Sequence, residues 1–441
     1  MATPEIANLY RDHLAVIRQQ ADRALARHGY DHLVIASGVE KYQFLDDRPY
    51  PFKPNPHFKH WVPLQRHPHC WISYTPGQRP VLVYHQPDDF WHLPPEAPEG
   101  FWAEHFDIRV IREPGEATRH LPTGRCAIIG EADAALPGVA PNDPRALVDH
   151  LHWHRAMKTP YELARMREAS ALAARAHLAA RDGFVAGHSE HEIHRAYLEA
   201  CGHTDLDLPY GNIVGLNEHA AVLHYQYQDR ARPAAHRTLL IDAGAEVHGY
   251  ASDITRTRTR AQGAFTDLVG AVDEAQLALC AMVRPGVDYR DIQRQTHLLL
   301  GGILRDAGLV RMDPEEQLAT GVSATFFPHG VGHLLGLQVH DVGGFLASED
   351  GGRVERPEGQ PFLRLTRVLQ PGMVVTIEPG LYFIPTLLEK LRARPEAAAV
   401  DWAAVEALLP YGGIRIEDDV ACTDGETCEN LTRDAFAALG E

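Results

Sequence analysis

A glycine-rich segment, PHGVGHLLGLQVHD, occupies residues 328–341 and constrains the fold more than any other stretch of the chain. It carries three histidines, His329, His333 and His340, and its glycines leave room beside the imidazole rings. The segment therefore predicts a site at which histidine side chains have space to meet a ligand.

Four acidic residues stand in short apolar or glycine-punctuated contexts on either side of this segment. They are Asp242 in LLIDAGA, Asp253 in GYASDITRT, Glu378 in VVTIEPG and Glu417 in GIRIEDD. Alternate residues of a strand share a face, so Glu378 and Glu417 lie opposite isoleucines that face the core. Any one of these acids taken alone is more often an ordinary strand-end residue. The four acidic contexts and the glycine-rich segment together predict one site assembled from distant parts of the chain.

Such a site indicates metal ions. Several carboxylates in one partly buried cleft suffer desolvation and mutual repulsion, and divalent cations remove both costs. Four carboxylates with one histidine form an oxygen-rich set that suits Mn²⁺ or Mg²⁺ and can take Co²⁺, Fe²⁺ or Zn²⁺. Two ions that share ligands are more plausible than one, and hydrolysis is the reaction that such a pair performs.

Composition narrows the class of protein. A chain of 441 residues is expected to form two domains. Its formal net charge of -17 argues against nucleic acid and anionic membranes as partners. No apolar run approaches the ~20 residues of a membrane span, and the polar N-terminus does not resemble a signal peptide. Six scattered cysteines without a CxxC pair are typical of reduced thiols, so we expect a cytoplasmic protein.

The pattern of elements predicts an α+β protein with a boundary near residue 157. Before it, AVIRQQADRALARHG predicts a helix that ends at Gly29, and HLVIAS, PVLVYH and CAIIGE predict buried strands. The stretch DDRPYPFKPNPHFKHWVPL predicts an ordered loop rather than a helix. After the boundary, Thr159, Pro160 and Glu162 predict the capped start of a long helix. Helices are then expected near 188–200, 264–283 and 288–308, with strands near 213, 240, 253, 374 and 415.

Two other histidine clusters predict no metal site. His150, His152 and His154 alternate as in a strand and have no acidic partner spaced to join them. HSEHEIH, residues 188–194, contains HExH rather than the HExxH of zinc proteases, and a solvated helix face is expected there.

The motifs around the acids resemble those of a known family. IDAGAEVHGYASDITRT, HGVGHLLGLQVHD, TIEPG and GIRIED resemble the motifs of the metal-dependent pita-bread peptidases. Within that family, LPYGNIVGLNEHAAVLHY, RVLQPGMVVTIEPGLYFIPTLLE and DDRPYPFKPNPHFKHW resemble bacterial Xaa-Pro dipeptidases, the prolidases. The resemblance covers nearly the whole chain and is strongest from residue 205 onward. It implies a creatinase-like N-terminal α/β domain (1–157), a pita-bread catalytic domain (158–441) and a homodimer.

The resemblance also implies a binuclear centre with Mn²⁺ as the expected ion. Its ligands would be Asp242, Asp253, His333, Glu378 and Glu417. Asp253 and Glu417 would bridge the two ions, Asp242 would complete one side, and His333 with Glu378 the other. All five ligands of the family pattern are present.

The implied reaction is hydrolysis of the imide bond of dipeptides that end in proline, by a hydroxide that bridges the two ions. Glu378 would move the proton, and His340 and His224 would hold the substrate and support the oxyanion. Arg364 resembles the anchor for the free carboxylate of proline. Arg415 is expected to orient Glu417 or an adjacent acid. Tyr210 and Leu223 are expected in the pocket wall. Asp46 or Asp47 is expected to reach across a dimer interface towards the substrate's amine.

Alternatives stay open at this level. His224 could be a structural histidine, Arg364 a surface residue, Tyr210 part of the core, and Asp46 a turn cap. An aminopeptidase P, which acts on longer peptides with proline in second position, shares the metal ligands. A pita-bread fold can also serve as a binding module without catalysis, although such a protein should lose ligands. Organophosphate hydrolysis is a possible side activity, and the segment 386–410, whose C-terminal part is expected to be helical, has no assigned function.

Overall fold

The structure, a computed structural model, describes residues 4–441 and divides them into two compact units. The N-terminal unit runs to Arg165 and includes two later segments, His248–Tyr250 and Leu346–Gly352. The C-terminal unit contains the remaining residues, from Met166 onward. Each unit combines helices with sheets, which confirms the α+β class. The boundary at residue 157 stays a prediction.

The helices and strands have the following bounds. The helices are α1 (Pro4–His28), α2 (Pro56–Trp61), α3 (Arg145–Arg155), α4 (Pro160–Val185), α5 (Glu190–Cys201), α6 (Ala264–Cys280), α7 (Tyr289–Asp306), α8 (Pro314–Thr320), α9 (Val322–Phe326), α10 (Pro385–Arg392), α11 (Trp402–Leu408) and α12 (Leu431–Ala437). The strands are β1 (His32–Ala36), β2 (Trp71–Tyr74), β3 (Val81–His85), β4 (Asp107–Ile111), β5 (Cys126–Ile129), β6 (Ile213–Leu216), β7 (Thr238–Asp242), β8 (Glu246–Val247), β9 (Tyr250–Ala251), β10 (Thr255–Thr259), β11 (Leu346–Ser348), β12 (Gly351–Arg353), β13 (Val374–Ile377), β14 (Gly380–Tyr382), β15 (Gly413–Arg415), β16 (Asp418–Ala421) and β17 (Glu429–Asn430).

The N-terminal unit is built on a mixed sheet with strand order β4-β3-β2-β1-β5. β1 pairs parallel with β5 and β3 with β4, whereas β2 runs antiparallel to both of its neighbours. Val34, Trp71 and Val83 pack in its core. The three strands predicted in this region are confirmed as β1, β3 and β5, and α1 ends before Gly29, whose φ of 74° suits glycine.

Two predictions for this unit were wrong. The proline- and aromatic-rich stretch is not loop throughout, because α2 lies within it. The Asn55 side chain accepts a hydrogen bond from His57 N at 2.8 Å, and Pro56 occupies the first helical position, so a cap and a compatible proline start a short helix there. The histidines that alternate from His150 to His154 lie on α3 and not on a strand.

From residue 158 onward the chain follows the predicted order of elements closely. α4 begins with the expected capping box: Glu162 accepts from Thr159 N at 2.8 Å, and Thr159 Oγ1 accepts from Glu162 N at 3.4 Å. α5, α6 and α7 confirm the helices expected near 188–200, 264–283 and 288–308. Within the segment 386–410, α11 confirms the helix expected in its C-terminal part, and α10 covers its start. Among residues 4–441, no helix is both long enough and apolar enough to cross a bilayer.

Small antiparallel sheets bring distant parts of the C-terminal unit together. β7 lies between β10 and β6, β13 pairs with β16, and β14 pairs with β15. An isolated bridge joins Thr255 to Glu417, and another joins Leu334 to Val375. These pairings place the ends of β7, β13 and β15, and the start of β10, around one region.

Candidate metal centre

The strand β7 ends at Asp242, and its partner β10 fixes the position of Asp253. Thr255 pairs with Asp242 across the two strands, so the chain between them must turn back tightly. Gly244 makes that turn possible, because a Cβ there would lie 2.0 Å from Ser252 O. The Tyr210 hydroxyl lies 2.8 Å from Asp242 Oδ1 and 2.6 Å from Asp253 Oδ1, and it can donate its proton to either.

The glycine-rich segment lies against β13, and this contact positions both His333 and Glu378. His333 N donates to Thr376 Oγ1 at 3.1 Å, Thr376 N donates to His333 O at 3.0 Å, and Glu378 N donates to Val331 O at 2.8 Å. Gly332 has a φ of 153°, and a Cβ there would lie 2.1 Å from Thr376 O. Glycine is therefore required at 332 for the two chains to approach.

Glu417 reaches the site through its pairing with β10. Its backbone N–H donates to Thr255 O at 3.1 Å, and Thr255 Oγ1 donates to its Oε2 at 2.6 Å. Glu417 is 2% exposed. One threonine thus holds both the backbone and the carboxylate of this acid.

Potential ligand atoms converge in this region. His333 Nε2 lies 3.5 Å from Asp253 Oδ2 and 3.8 Å from Glu378 Oε1. Asp253, His333 and Glu417 each offer one ligand atom, and these three atoms lie within 4.8 Å of one another. Asp242 joins them through the hydroxyl that it shares with Asp253. The structure therefore brings together all five residues that the sequence assigned as metal ligands.

Burial makes this arrangement of acids unfavourable without a cation. Desolvation, followed by repulsion from Asp242, raises the pKa of Asp253 to about 8. Desolvation is also the largest cause that raises the pKa of Glu378 and of Glu417 well above its usual value, and Asp253 adds repulsion to both. Burial lowers the pKa of His333 to about 3, so its imidazole stays neutral and keeps a lone pair for a metal. The donor set fits divalent cations in chemistry and in charge.

Arg415 supplies the positive charge nearest to the acids, and its contacts are within the protein. Its Nη2 donates to Asp242 Oδ2 at 2.7 Å, its Nη1 to the Tyr382 hydroxyl at 2.9 Å, and its Nε to Thr255 Oγ1 at 3.2 Å. The side chain is 4% exposed. It therefore orients Asp242 directly and Glu417 only through Thr255, consistent with the prediction that it orients Glu417 or an adjacent acid.

The acids open into a cavity of about 410 Å³. Its wall includes the predicted Leu223, His224, His340 and Arg364, and also His329, Arg356 and Phe362. The rings of His333 and His340 meet edge to face with centroids 4.4 Å apart. Burial lowers the pKa of His340 to about 4. Histidines, three arginines (Arg356, Arg364 and Arg415) and the metal ligands thus share one cavity.

Tyr210, expected in the pocket wall, is not among the residues that line the cavity and instead holds Asp242 and Asp253 through its hydroxyl. Asp46 is the predicted site residue that lies away from the metal ligands. It belongs to the N-terminal unit, where it is exposed, and its Oδ1 accepts from Asp47 N at 2.7 Å and from Arg48 N at 3.3 Å. In this structure Asp46 caps a turn. Its contact with substrate stays a prediction.

Sequence reasoning gave no role to three residues that the structure places at the site. His329 lies 3.6 Å from Glu378 through its Nδ1 and 2.9 Å from the Tyr382 hydroxyl through its Nε2. Asp419 is fully buried, and both of its carboxylate oxygens accept from Asp253 N. Arg356 lines the cavity. His329 and Asp419 both stood in segments already singled out, but the pairing that buries Asp419 could not be read from GIRIEDD.

Comparisons with known proteins agree with this geometry. Residues 8–153 match the family model described as Xaa-Pro dipeptidase, N-terminal domain, and residues 164–424 match that of metallopeptidase family M24. The chain is 57% identical to a Xaa-Pro dipeptidase of Stenotrophomonas maltophilia over 98% of both chains. It is 57% identical to one of Xanthomonas campestris pv. campestris over 99% of this chain and 100% of that protein.

Solved structures show the same fold. Escherichia coli aminopeptidase P with the inhibitor Pro-Leu superposes with a TM-score of 0.72 at 25% identity, over 95% of each chain. The Pseudomonas aeruginosa aminopeptidase PepP gives a TM-score of 0.72 at 24% identity, over 97% of this chain and 98% of that one. The predicted fold class, a creatinase-like N-terminal domain followed by a pita-bread domain, is confirmed.

The raised carboxylate pKa values predict how metal binding depends on pH. In metal-free protein the pKa of Asp253 is about 8, whereas its ordinary value is 3.8. The protonated carboxyl group therefore contributes fully to the stability of the folded protein below pH 3.8, and this contribution is lost as the pH rises through about 8. Metal binds the ionised form, so the increase in Tm on adding Mn²⁺ to chelated protein should grow between about pH 5 and about pH 8. Calorimetry across that range measures it. An increase that is the same at every pH would contradict the explanation, and Asp253→Asn should flatten the pH dependence.

Gly332→Ala should disrupt the centre. The added Cβ would meet Thr376 O at 2.1 Å and force His333 away from β13. We expect loss of bound metal and a fall of at least about 2 kcal/mol in the free energy of unfolding in urea. Gly302→Ala is the matched control, because a Cβ at this helical position meets nothing within 4 Å. Normal metal content in Gly332→Ala would show that the close approach does not position the ligands.

Proposed function

We infer that this chain, which belongs to metallopeptidase family M24 and is a metal-dependent hydrolase, hydrolyses the imide bond of dipeptides whose second residue is proline. The observation that carries the inference is a cavity that joins the metal ligands to Arg364. A guanidinium facing the reacting groups can bind the free carboxylate of a C-terminal proline, often through two parallel hydrogen bonds. A longer peptide has no carboxylate at that position.

The residues that would hold the metal ions are Asp242, Asp253, His333, Glu378 and Glu417. When bound, two divalent ions supply Lewis acidity that polarises the scissile carbonyl and makes water a stronger acid. We propose Mn²⁺ as the ion, because four carboxylates and one imidazole are mainly oxygen donors. Asp253 and Glu417 would contribute to holding both ions.

Proton transfer is assigned to Glu378. Its carboxylate lines the cavity, where it can reach an attacking water. It takes a proton from the attacking water and passes it to the proline nitrogen, which has no hydrogen of its own. His329 lies beside this carboxylate, with its Nδ1 3.6 Å from Glu378 Oε2 and 2.8 Å from Gly330 O.

Two histidines of the cavity wall are assigned to stabilise the transition state. His340 is uncharged at neutral pH because burial lowers its pKa to about 4, so one of its ring nitrogens carries a hydrogen to donate. We assign to it, and to His224 in the same wall, the hydrogen bonds to the substrate and to the developing oxyanion. Leu223 and Phe362 give the proline ring apolar surface in that wall, and Tyr210 contributes by fixing the two aspartates.

Oligomeric state and location are proposed with the same function. The loop of the N-terminal unit that carries Asp46 leaves Phe44 and Leu45 each 90% exposed, which is the kind of surface that a second copy covers. We propose a homodimer in which Asp46 reaches the amine of the substrate held by the partner. The six free cysteines fit a reducing compartment, and we propose the cytoplasm.

Substrate length separates this function from that of an aminopeptidase P. Chelated protein, with and without added Mn²⁺, should be offered Ala-Pro, Gly-Pro and Ala-Pro-Ala, and the products measured by chromatography. We expect cleavage of the dipeptides only, restored by Mn²⁺. Release of alanine from Ala-Pro-Ala would favour an aminopeptidase P, and no cleavage with any divalent ion would exclude the proposed activity.

Arg364→Ala should remove recognition of the carboxylate. A hydrogen bond between charged groups contributes about 1.5–3 kcal/mol, so KM for Ala-Pro should rise by roughly 10- to 100-fold while kcat changes less. The wild-type enzyme should prefer Ala-Pro to Ala-prolinamide, and the variant should lose that preference. Arg353→Ala, an exposed arginine in the same stretch of chain, serves as the control. An unchanged preference in Arg364→Ala would place the carboxylate elsewhere.

A further inference from the structure

A second group of metal-binding side chains lies in the N-terminal unit. His150 and His154 are one helical turn apart on α3, with ring centroids 4.7 Å apart. Glu349, in the turn between β11 and β12, places its Oε2 3.0 Å from His154 Nε2 and 3.9 Å from His150 Nδ1. One ligand atom from each of the three lies within 4.8 Å of the others. Two imidazoles and a carboxylate thus meet at one point.

The burial of His150 points to a ligand at this place. Its side chain is 1% exposed, and within residues 4–441 neither ring nitrogen has a hydrogen-bond partner. Leaving a buried polar group unpaired is costly, and such groups are uncommon in folded proteins. Burial is also the largest cause that lowers the pKa of His150, so the ring is neutral and has a lone pair. In the same part of the unit, His28 Nε2 is buried without a partner among the described residues, and its ring centroid lies 6.2 Å from that of His150.

The carboxylate is held in place and is reachable from solvent. Arg27 Nη1 donates to Glu349 Oε1 at 2.7 Å, which leaves Oε2 directed at the histidines. The turn that carries Glu349 uses Gly351 and Gly352 at φ values of 93° and 76°, and a Cβ on Gly351 would lie 3.2 Å from Asp149 Oδ2 on α3. Because Glu349 is 37% exposed, an ion could enter from the surface.

We propose that His150, His154 and Glu349 bind a divalent transition-metal ion, with Zn²⁺ as the ion that this donor set favours. Two imidazoles and one carboxylate are a familiar zinc set, and two histidines four residues apart on one helix face can chelate a single ion. His28 Nε2 or water completes the coordination. The ion ties the segment Leu346–Gly352 to α3 and is separate in sequence from the ligands of the catalytic centre. Its role is structural, and its removal leaves the reacting groups in place.

The test compares bound zinc in the full-length protein and in variants. Chelated wild-type protein, His154→Ala and His150→Gln are loaded with Zn²⁺, freed of excess metal by gel filtration, and analysed by mass spectrometry of the metal. His152→Ala is the matched control, because it removes a histidine from the same helix whose ring stacks on His57 with centroids 5.0 Å apart. We expect the two ligand variants to hold one zinc fewer per chain than the wild type and the control.

Two further measurements keep the result interpretable. Mn²⁺-restored hydrolysis of Ala-Pro should be unchanged in His154→Ala, which shows that the variant is folded and that its catalytic centre is intact. The variant Asp253→Asn disables the catalytic centre, and it should retain the zinc that His154→Ala loses. When Co²⁺ is bound to Asp253→Asn instead, its absorption spectrum should be typical of nitrogen and oxygen ligands. Equal zinc content in the wild type and both ligand variants would overturn the proposal. Loss of zinc in His152→Ala to the same extent would also overturn it.

Discussion

Several acidic side chains lie close together in one buried site, and the rest of the C-terminal unit depends on this constraint. Asp242, Asp253, Glu378 and Glu417 lie close together where desolvation and repulsion oppose ionisation, and three of them have raised pKa values. Arg415 balances only part of that charge through its contact with Asp242. Divalent cations are the groups that make such an arrangement favourable, so metal binding and the stability of this unit are coupled.

Backbone pairing, more than side-chain packing, holds the acids in position. Glu378 is fixed by a hydrogen bond to Val331 in the glycine-rich segment, and Glu417 by a bridge to Thr255. Asp253 donates its backbone N–H to Asp419, a buried acid whose own pKa is raised. Because the ligands belong to strands that pair with one another, a small displacement of one strand would move several ligands together. That rigidity suits a site in which geometry decides the chemistry.

Much of this could be predicted from the sequence, for identifiable reasons. The start of α4 was predicted correctly because capping is local. Three of the five strands of the N-terminal sheet, β1, β3 and β5, were predicted because their apolar runs are short and bounded. α2 was missed because its cap, Asn55, stands in a proline-rich stretch that masks a helix start. The helical nature of His150 to His154 was missed because alternating histidines imitate a strand. Glu349, almost two hundred residues away, joins them only in the folded chain.

The sequence by itself determined the chemistry of the site. The identity of its donors, and the glycines that let His333 approach β13, are local properties written into short motifs. The tertiary structure decided which charges meet. Only folding brings Arg415 onto Asp242, places Asp419 behind Asp253, and sets Arg364 in the same cavity as Glu378. Contacts between residues far apart in the chain depend on strand register and burial, and no local pattern specifies those.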